Sequence, residues 1–235
     1  YSSFLQRGYD QLIHDVALQN LPVIFCIDRA GLVGSDGATH HGAFDIAFLR
    51  CIPNLTLLSP INEQELANML YTAQSWKSGP IAIRYPRGKG VMLKTIEKPS
   101  KIDFGTGKLI TKGKGVTILS VGAIGNEVIT ALGILESENI NVSHYDMQSI
   151  KPLDKELLTN IFNEYSSIIT IEDGVVSGGF GSAILEFRNQ HSLTSSIKIL
   201  GLPDSFIEHG TQKELYHELG LDSLGIIKTI KAELF

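Results

Sequence analysis

Cysteine is scarce in this sequence, which contains only Cys26 and Cys51 among its 235 residues. Both lie in apolar or mixed stretches, and they form no Cys-x-x-Cys pair. A disulfide framework is therefore a poor explanation for the fold, since isolated thiols of this kind are typical of a reducing compartment. We expect a soluble cytoplasmic protein.

Runs of basic residues and long apolar stretches are missing as well. The formal net charge is -5, so the chain lacks the electrostatic footprint of a protein that binds nucleic acid or an anionic membrane. No apolar stretch approaches the roughly 20 residues that a transmembrane helix needs, and the start of the chain does not resemble a secretory signal. We expect no nucleic-acid or membrane partner, and an anionic ligand would be held by individual arginines.

Apolar runs and helical patterns alternate along the whole chain, whose hydrophobic content of 43% is enough for two modest domains. Helical spacing predicts a first helix over residues 4–19, and Asn62 with Glu65 three positions later predicts the start of another. Strands with few charges need helices on both faces, which favours parallel pairing. The fold class is therefore α/β, with two consecutive doubly wound parallel-sheet domains. The predicted strands are residues 23–27, 55–58, 81–83, 116–121, 142–147, 168–171 and 197–200.

A stretch from about Gly88 to Gly107 separates two blocks of this alternation. It carries Gly, Lys and Pro with little periodicity, which is typical of an exposed connection. We predict a first domain over residues 1–88, a linker over 89–107 and a second domain over 108–235.

Charged and titratable residues follow two strands of the first predicted domain. The segment after the first strand contains Arg29, Asp36 and His40, and the segment after the third contains Arg84 and Arg87. Ligands gather at the carboxyl ends of parallel strands, where two arginines from separate loops could grip a phosphate and a histidine could relay protons. The alternative for the arginines is ordinary surface pairing, which is preferred for Arg84.

Two further interpretations of this region are less favourable. His41 is better explained as a solvated or capping histidine than as a catalytic one. A metal site made of Asp36, His40 and His41 is disfavoured because adjacent histidines rarely point the same way and no further ligand follows at a suitable spacing. We predict no metal site in this chain.

Glycine clusters in the second block raise the possibility of a nucleotide site. They occupy residues 122–126 and 178–182, but neither spells Gly-x-Gly-x-x-Gly. We favour tight turns and close approach of helix to strand as their explanation, so the second block is interpreted as architectural.

Several segments, in order and spacing, resemble the transketolase-like thiamine diphosphate enzymes, and within them the 1-deoxy-D-xylulose-5-phosphate synthase family. General transketolases and the pyruvate dehydrogenase beta subunit share the architecture but fit less well. The resemblance implies the remainder of a pyrimidine-binding domain followed by a transketolase C-terminal domain. The segments are Phe4-Leu5-Gln6-Arg7-Gly8-Tyr9-Asp10-Gln11, Asp28-Arg29-Ala30-Gly31, Asp36-Gly37-Ala38-Thr39-His40-His41-Gly42, Tyr85-Pro86-Arg87-Gly88, Lys151-Pro152-Leu153-Asp154, Gly178-Gly179-Phe180-Gly181-Ser182 and Leu202-Pro203-Asp204-Ser205-Phe206-Ile207-Glu208-His209-Gly210.

The resemblance implies an activity and roles for individual residues. A transferase of this family condenses pyruvate with glyceraldehyde 3-phosphate to 1-deoxy-D-xylulose 5-phosphate and CO2, for isoprenoid and thiamine biosynthesis, with thiamine diphosphate and Mg²⁺ as cofactors and a homodimer as the assembly. Phe4 and Arg7 would bind the aminopyrimidine ring of the cofactor. Tyr1, Arg29 and Arg87 would hold the acceptor phosphate, and Asp36 and His40 would be the catalytic residues.

The sequence also departs from the family. It contains no Gly-Asp-Gly, the motif with which the family binds diphosphate through a divalent ion. The chain opens at Tyr1 without a methionine, so we expect a preceding segment that carries this motif and the activating glutamate. The chain alone should then be inactive. The alternatives are a non-catalytic dimerisation and phosphate-binding module, or the beta subunit of a 2-oxo acid dehydrogenase.

Overall fold

The computed structural model describes residues 1–91 and 96–235. Four residues of the predicted linker, 92–95, lie outside the described residues. In chain order the strands are β1 (Ile24–Ile27), β2 (Thr56–Leu58), β3 (Ile81–Arg84), β4 (Lys108–Thr111), β5 (Val116–Val121), β6 (Ser143–Asp146), β7 (Ser149–Lys151), β8 (Ser167–Val175) and β9 (Ser196–Leu202).

Helices fill the intervals between most of these strands. An N-terminal helical segment consists of four consecutive short pieces, Ser2–Leu5, Gln6–Gly8, Tyr9–Gln11 and Leu12–Ala17. It is followed by α1 (Asp45–Leu49), α2 (Glu63–Ala73), α3 (Gly125–Ser137), α4 (Lys155–Glu164), α5 (Phe180–Gln190), α6 (Gln212–Glu218) and α7 (Ser223–Leu234).

Side-chain caps fix the starts of several helices. The Asn62 side chain accepts a hydrogen bond from the Glu65 N–H at the start of α2, at 2.9 Å, which is the interaction that the sequence predicted. Asp154 does the same for Leu157 at the start of α4, and Thr211 opens α6. Each cap satisfies an N–H group that the first turn of a helix leaves without an intrahelical partner.

Two sheets form the framework, one for each predicted block. The first has the order β1-β3-β2-β7 and the second the order β4-β6-β5-β8-β9. The α/β class is confirmed, with parallel pairing throughout the centre of both sheets. Each sheet also has one antiparallel edge strand, β7 in the first and β4 in the second. These two strands were not predicted, because they are short and carry no continuous apolar run.

The two blocks are joined more closely than the sequence suggested. Strand β7 belongs to the second block but pairs with β2 of the first. One apolar cluster contains Ile27 and Leu57 from the first block together with Leu119, Ile168 and Phe180 from the second. A shared apolar core of this kind holds two domains in a fixed arrangement. Within the described residues, no helix has the length and apolar character required to cross a membrane.

Candidate active site at the carboxyl ends of strands β1 and β3

Strands β1 and β3 are neighbours, and their pairing continues past their carboxyl ends. The Tyr85 N–H donates to the Ile27 carbonyl and the Ala30 N–H donates to the Tyr85 carbonyl, each at 3.0 Å. The two segments that carry the predicted arginines therefore leave the sheet side by side.

Residues 31–42, hereafter the 31–42 loop, form a closed loop after β1. Gly31 and Gly42 exchange two backbone hydrogen bonds of 2.9 and 2.7 Å at its neck. Gly31 has a φ of +76°, and a Cβ atom at this position would stand 1.9 Å from Oδ2 of Asp173. A Cβ at Gly42 would stand 2.3 Å from the Arg29 carbonyl oxygen. The neck therefore requires glycine at both positions.

Tyr1, Phe4, Arg29 and His40 come together in one group, hereafter the ring cluster. The Tyr1 and Phe4 rings stack with centroids 4.6 Å apart, and the His40 ring meets Phe4 edge-on at 5.4 Å. The Arg29 guanidinium lies over the Tyr1 ring, 4.2 Å from its centroid, in a cation–π contact. An apolar cavity of about 370 Å³ adjoins Tyr1 and Phe4 and is otherwise lined by Leu5 and residues 24–27.

Asp36 and Arg87 form a second group beside the first. Nη1 of Arg87 lies 2.9 Å from Oδ2 of Asp36, and it also donates to the Val33 carbonyl at 3.4 Å. Both side chains are partly exposed, so the pair contributes little to stability. It does fix the Arg87 guanidinium against the loop that carries His40.

His40 is held on one ring nitrogen only. Its Nδ1 lies 2.8 Å from Oγ1 of Thr39, and its backbone N–H closes a turn on the Gly37 carbonyl at 2.9 Å. Nε2 has no hydrogen bond to the described part of the chain. That nitrogen is therefore free to contact a ligand in front of the ring cluster.

His41 has a structural position, but the solvated or capping histidine preferred from the sequence is wrong, because the second block covers this side chain. It is buried, and its Nδ1 accepts a hydrogen bond from the Val33 N–H at 3.1 Å. Because Nδ1 accepts, the proton resides on Nε2, which lies 3.3 Å from the Glu208 carbonyl. His41 thus ties the 31–42 loop to a segment of the second block.

Arg84 is buried, unlike Arg29 and Arg87. Its Nε donates to both carboxylate oxygens of Asp45, at 2.9 and 3.1 Å, and its Nη2 donates to the Asp173 carbonyl at 2.8 Å. Only 3% of Arg84 is exposed, so an external phosphate has no access to it. The pairing preferred for Arg84 from the sequence is present, but the expectation that it lies at the surface is wrong, since both Arg84 and Asp45 are buried.

Arg7 is the predicted residue that the structure does not join to the others. It is exposed within Gln6–Gly8, and no hydrogen bond, ion pair or ring contact links it to the residues in the described ranges. Over the same ranges, no group of three or more His, Cys, Asp or Glu side chains is arranged to hold a metal ion.

A buried polar network behind the 31–42 loop was missed by the sequence analysis. The Asp173 carboxylate accepts from the Leu32 N–H, at 3.2 Å to each oxygen, and from the Tyr216 hydroxyl at 2.6 Å. Burial raises the pKa of Asp173, while the Tyr216 hydrogen bond and the Arg84 charge act against that shift. The Glu172-Asp173 pair directly after a predicted strand was the available indication, since strand ends were expected to carry function.

Comparison with known proteins agrees with the two-block architecture. The family model for the transketolase pyrimidine-binding domain matches residues 1–91, and that for the transketolase C-terminal domain matches residues 105–226. The 1-deoxy-D-xylulose-5-phosphate synthase of Parabacteroides distasonis is 52% identical over 99% of this chain and 37% of its own length. That of Cytophaga hutchinsonii is 51% identical over 98% of this chain and 36% of its own length. The chain thus spans a little more than one third of these relatives.

Solved structures share the same fold. A split-gene transketolase, described as an inactive beta4 tetramer, aligns with a TM-score of 0.84 and 25% identity over 100% of this chain and 74% of its own. The transketolase of Campylobacter jejuni aligns with a TM-score of 0.75 and 16% identity over 98% of this chain and 34% of its own. With both of its domain models matched, the chain belongs to the transketolase family.

Proposed function

We propose that this chain forms part of a thiamine-diphosphate-dependent transferase that condenses pyruvate with glyceraldehyde 3-phosphate to 1-deoxy-D-xylulose 5-phosphate and CO2. Relatives that are about half identical to the chain carry the name of that enzyme. The single observation that carries the proposal is the meeting of Tyr1, Phe4, Arg29 and His40 in the ring cluster, beside the Asp36–Arg87 pair.

Arg29 and Arg87 are proposed to bind the phosphate of the acceptor. They follow neighbouring parallel strands, where ligands bind in open α/β sheets, and both side chains remain partly exposed. Guanidinium groups match phosphate oxygens with paired hydrogen bonds. Tyr1 would fix Arg29 through its ring, and its own hydroxyl would add a further contact to the phosphate.

The cofactor ring is proposed to lie on the surface next to Phe4. Phe4 is 44% exposed although it is a large apolar residue, and the adjoining cavity is lined by apolar side chains. Such a surface accepts a flat heterocycle by stacking and burial of apolar area. We propose that Phe4 contacts the aminopyrimidine ring and that Arg7 lies at its margin.

Mg²⁺ does not fit the described residues, which provide no group of three or more His, Cys, Asp or Glu side chains arranged to hold a metal ion. The sequence also lacks Gly-Asp-Gly. We therefore propose that another segment or another chain binds the diphosphate and Mg²⁺, and that the 235-residue chain is inactive by itself. Bound thiamine diphosphate supplies the electron sink for decarboxylation of pyruvate.

Asp36 and His40 are proposed to act on the reacting groups of the substrates. The unpaired Nε2 of His40 can hold or release a proton at a substrate oxygen. Asp36, fixed by Arg87, can accept a hydrogen bond from a substrate hydroxyl. His40 contacts Phe4 within the ring cluster, and Asp36 lies four positions earlier in the same loop.

The phosphate role is tested in the complete enzyme with Arg29→Ala and Arg87→Ala. A lost charged hydrogen bond of about 1.5–3 kcal/mol should raise KM for glyceraldehyde 3-phosphate by roughly 10- to 100-fold. KM for pyruvate, and turnover of unphosphorylated glyceraldehyde, should change much less. Arg188→Ala, in helix α5, is the matched control. Equal effects on both substrates, or on both aldehydes, would refute the phosphate role.

A second candidate is a subunit that pairs with a separate chain, like the beta subunit of a 2-oxo acid dehydrogenase. The observation in its favour is that this chain aligns over its whole length with a split-gene transketolase. Affinity purification from the native organism distinguishes the two. Recovery with a longer partner that carries Gly-Asp-Gly supports the two-chain enzyme, and one long polypeptide supports the first proposal. For the first proposal the expected assembly is a homodimer, which light scattering measures.

A further inference from the structure

Side chains of the second block form hydrogen bonds with the backbone at the base of the 31–42 loop. Leu32, at the base of the loop, is fully buried. Its N–H donates to the Asp173 carboxylate at 3.2 Å, and its carbonyl accepts from Nε2 of Gln212 at 2.9 Å. Both backbone polar groups of one loop residue are therefore satisfied by side chains that lie more than 140 positions further along the chain.

A third side chain, Tyr216, connects the other two. The Tyr216 hydroxyl donates to Oδ2 of Asp173 at 2.6 Å and lies 3.3 Å from Nε2 of Gln212. We call Leu32 and these three residues the Leu32 latch. Gln212 and Tyr216 lie one turn apart on α6, so a single short helix presents both to the loop.

The latch acts at the point where the loop leaves the sheet. Leu32 follows Gly31, whose missing Cβ leaves the space that the Asp173 carboxylate occupies. The backbone carbonyl of Asp173 also accepts from Arg84, the last residue of β3. Asp173 thus contacts the bases of both segments that carry the candidate site residues, the one with His40 and the one with Arg87.

We propose that Asp173, with Tyr216 and Gln212, positions the 31–42 loop, so that the C-terminal domain sets the placement of Asp36 and His40 without touching the substrate. This inference depends on the proposed function for its catalytic part. The ionic and hydroxyl partners of a buried carboxylate form a network that stabilises the structure by more than the sum of its separate hydrogen bonds. Loss of one member should therefore loosen the loop while the fold persists.

Tyr216→Phe is the most specific test, because it removes one hydroxyl and keeps the ring. Tyr165→Phe is the matched control, since the Tyr165 hydroxyl is also buried in the second block and lies 2.7 Å from Oγ of Ser143. Hydrogen exchange is measured by mass spectrometry on peptides covering residues 31–42 of the complete enzyme. We expect exchange to rise by about ten-fold in Tyr216→Phe and to stay at the wild-type rate in Tyr165→Phe.

The kinetic readout separates positioning from stability. Turnover should fall by about ten-fold in Tyr216→Phe, with KM for pyruvate unchanged within two-fold, and it should not fall in Tyr165→Phe. Asp173→Asn keeps an oxygen acceptor for the Leu32 N–H and should retain more turnover than Asp173→Ala. If Asp173→Ala does not fold, Asp173→Asn and Tyr216→Phe still provide the comparison.

Two results would overturn the inference. The first is equal exchange of the loop in Tyr216→Phe and Tyr165→Phe. The second is a loosened loop with turnover equal to that of the control. A wild-type enzyme that forms no product from these substrates would refute the proposed function alone, and the exchange comparison would then decide whether the latch holds the loop.

Discussion

Two of the glycine-containing loops at strand ends, the 31–42 loop of the first block and the loop between β8 and α5 of the second, have opposite characters. The 31–42 loop after β1 directs charged residues outward and is fixed at its back by Asp173. Next to the loop between β8 and α5, strand β8 directs a carboxylate inward. Glu172 of β8 is fully buried and accepts hydrogen bonds from the Phe180 and Gly181 N–H groups, at 2.7 and 2.8 Å.

The difference shows that a strand-end loop can bind an anion only if no side chain of the protein already occupies the site. A helix amino terminus at the end of a parallel strand is an anion site by default. At α5 that site is filled by the protein's own Glu172, and a Cβ at Gly179 would stand 2.2 Å from Oε2 of this residue. The glycines therefore serve close approach, as the sequence analysis favoured, and the loop has no position left for an external phosphate.

The largest expected effect lies in the first loop. His40→Ala should lower turnover of the complete enzyme by roughly 10²- to 10⁴-fold, because a general acid-base contribution is lost. The unfolding temperature should stay close to that of the wild type, since His40 is not part of the core. His14→Ala, an exposed histidine on the N-terminal helical segment, is the control. Unchanged turnover in His40→Ala would leave the residue without a catalytic role.

Gly31→Ala should have the next largest effect, this time on stability. The added methyl group would displace the Asp173 carboxylate and strain a backbone with positive φ, at a cost of roughly 2–4 kcal/mol in the free energy of unfolding. Gly220→Ala has a similar φ of +67°, and nothing in the described chain lies within 4 Å of its Cβ position. It should cost only roughly 1–2 kcal/mol. Denaturant titration of both variants measures the difference. Equal losses in the free energy of unfolding would show that the close approach of Asp173 to Gly31 does not add to the cost of Gly31→Ala.

Glu172, the β8 residue beside the second loop, should make stability depend on pH. Burial raises its pKa from 4.5 to about 7, although the two N–H donors act against this shift. Between pH 4.5 and about 7, Glu172 keeps its proton in the folded state and has lost it in the unfolded state. The free energy of unfolding therefore falls as the pH rises through this range up to the folded-state pKa. Between pH 5 and pH 8, the free energy of unfolding should fall by roughly 2–3 kcal/mol more in the wild type than in Glu172→Gln.

The comparison with Glu172→Gln is needed because other buried groups also make the free energy of unfolding depend on pH in this range. Burial lowers the pKa of His144 to about 4 and raises that of Asp146 to about 7. These groups contribute equally to wild type and variant, so the difference between the two curves isolates Glu172. Parallel curves over this pH range would contradict an unusual ionisation of Glu172.

The smallest expected effect concerns the outer side of the second loop. Arg50 of the first block donates to the Gly178 carbonyl at 2.6 Å and pairs with Glu186 of α5. Glu186 is largely exposed, so Glu186→Gln should cost less than about 1 kcal/mol in the free energy of unfolding. The cost should vanish in 1 M salt, where exposed charges are screened. A larger loss that persists in salt would mean that this ion pair helps to hold the two blocks together.

Local patterns in the sequence predicted most elements of the fold. Apolar runs predicted the strands that pair in parallel, and the Asn62 cap predicted the start of α2. These strands are β1, β2, β3, β5, β6, β8 and β9. Strand β4 was not predicted because it is an exposed edge strand, which needs no continuous apolar run. Strand β7 was not predicted because it is only three residues long and contains one apolar residue. The short helices α1 and α6 were not predicted from the sequence.

The sequence indicated which residues belong to the candidate site but not which residues hold the 31–42 loop in place. Strand-end position and residue type pointed to Arg29, Asp36, His40 and Arg87, and resemblance added Tyr1 and Phe4. Nothing in the local pattern around Gln212 or Tyr216 indicates that they meet Leu32. Their role depends on how two blocks dock, which involves contacts between residues far apart in the chain.

The sequence by itself determined the alternation of strands and helices, the polar composition of the strand-end loops and the family. These follow from periodicity and local chemistry, which act between neighbouring residues. Only the tertiary structure decided which charged groups are buried, which glycine admits a carboxylate and which block completes the other's sheet. Burial and close approach are set by the packing of distant segments, so no local pattern encodes them.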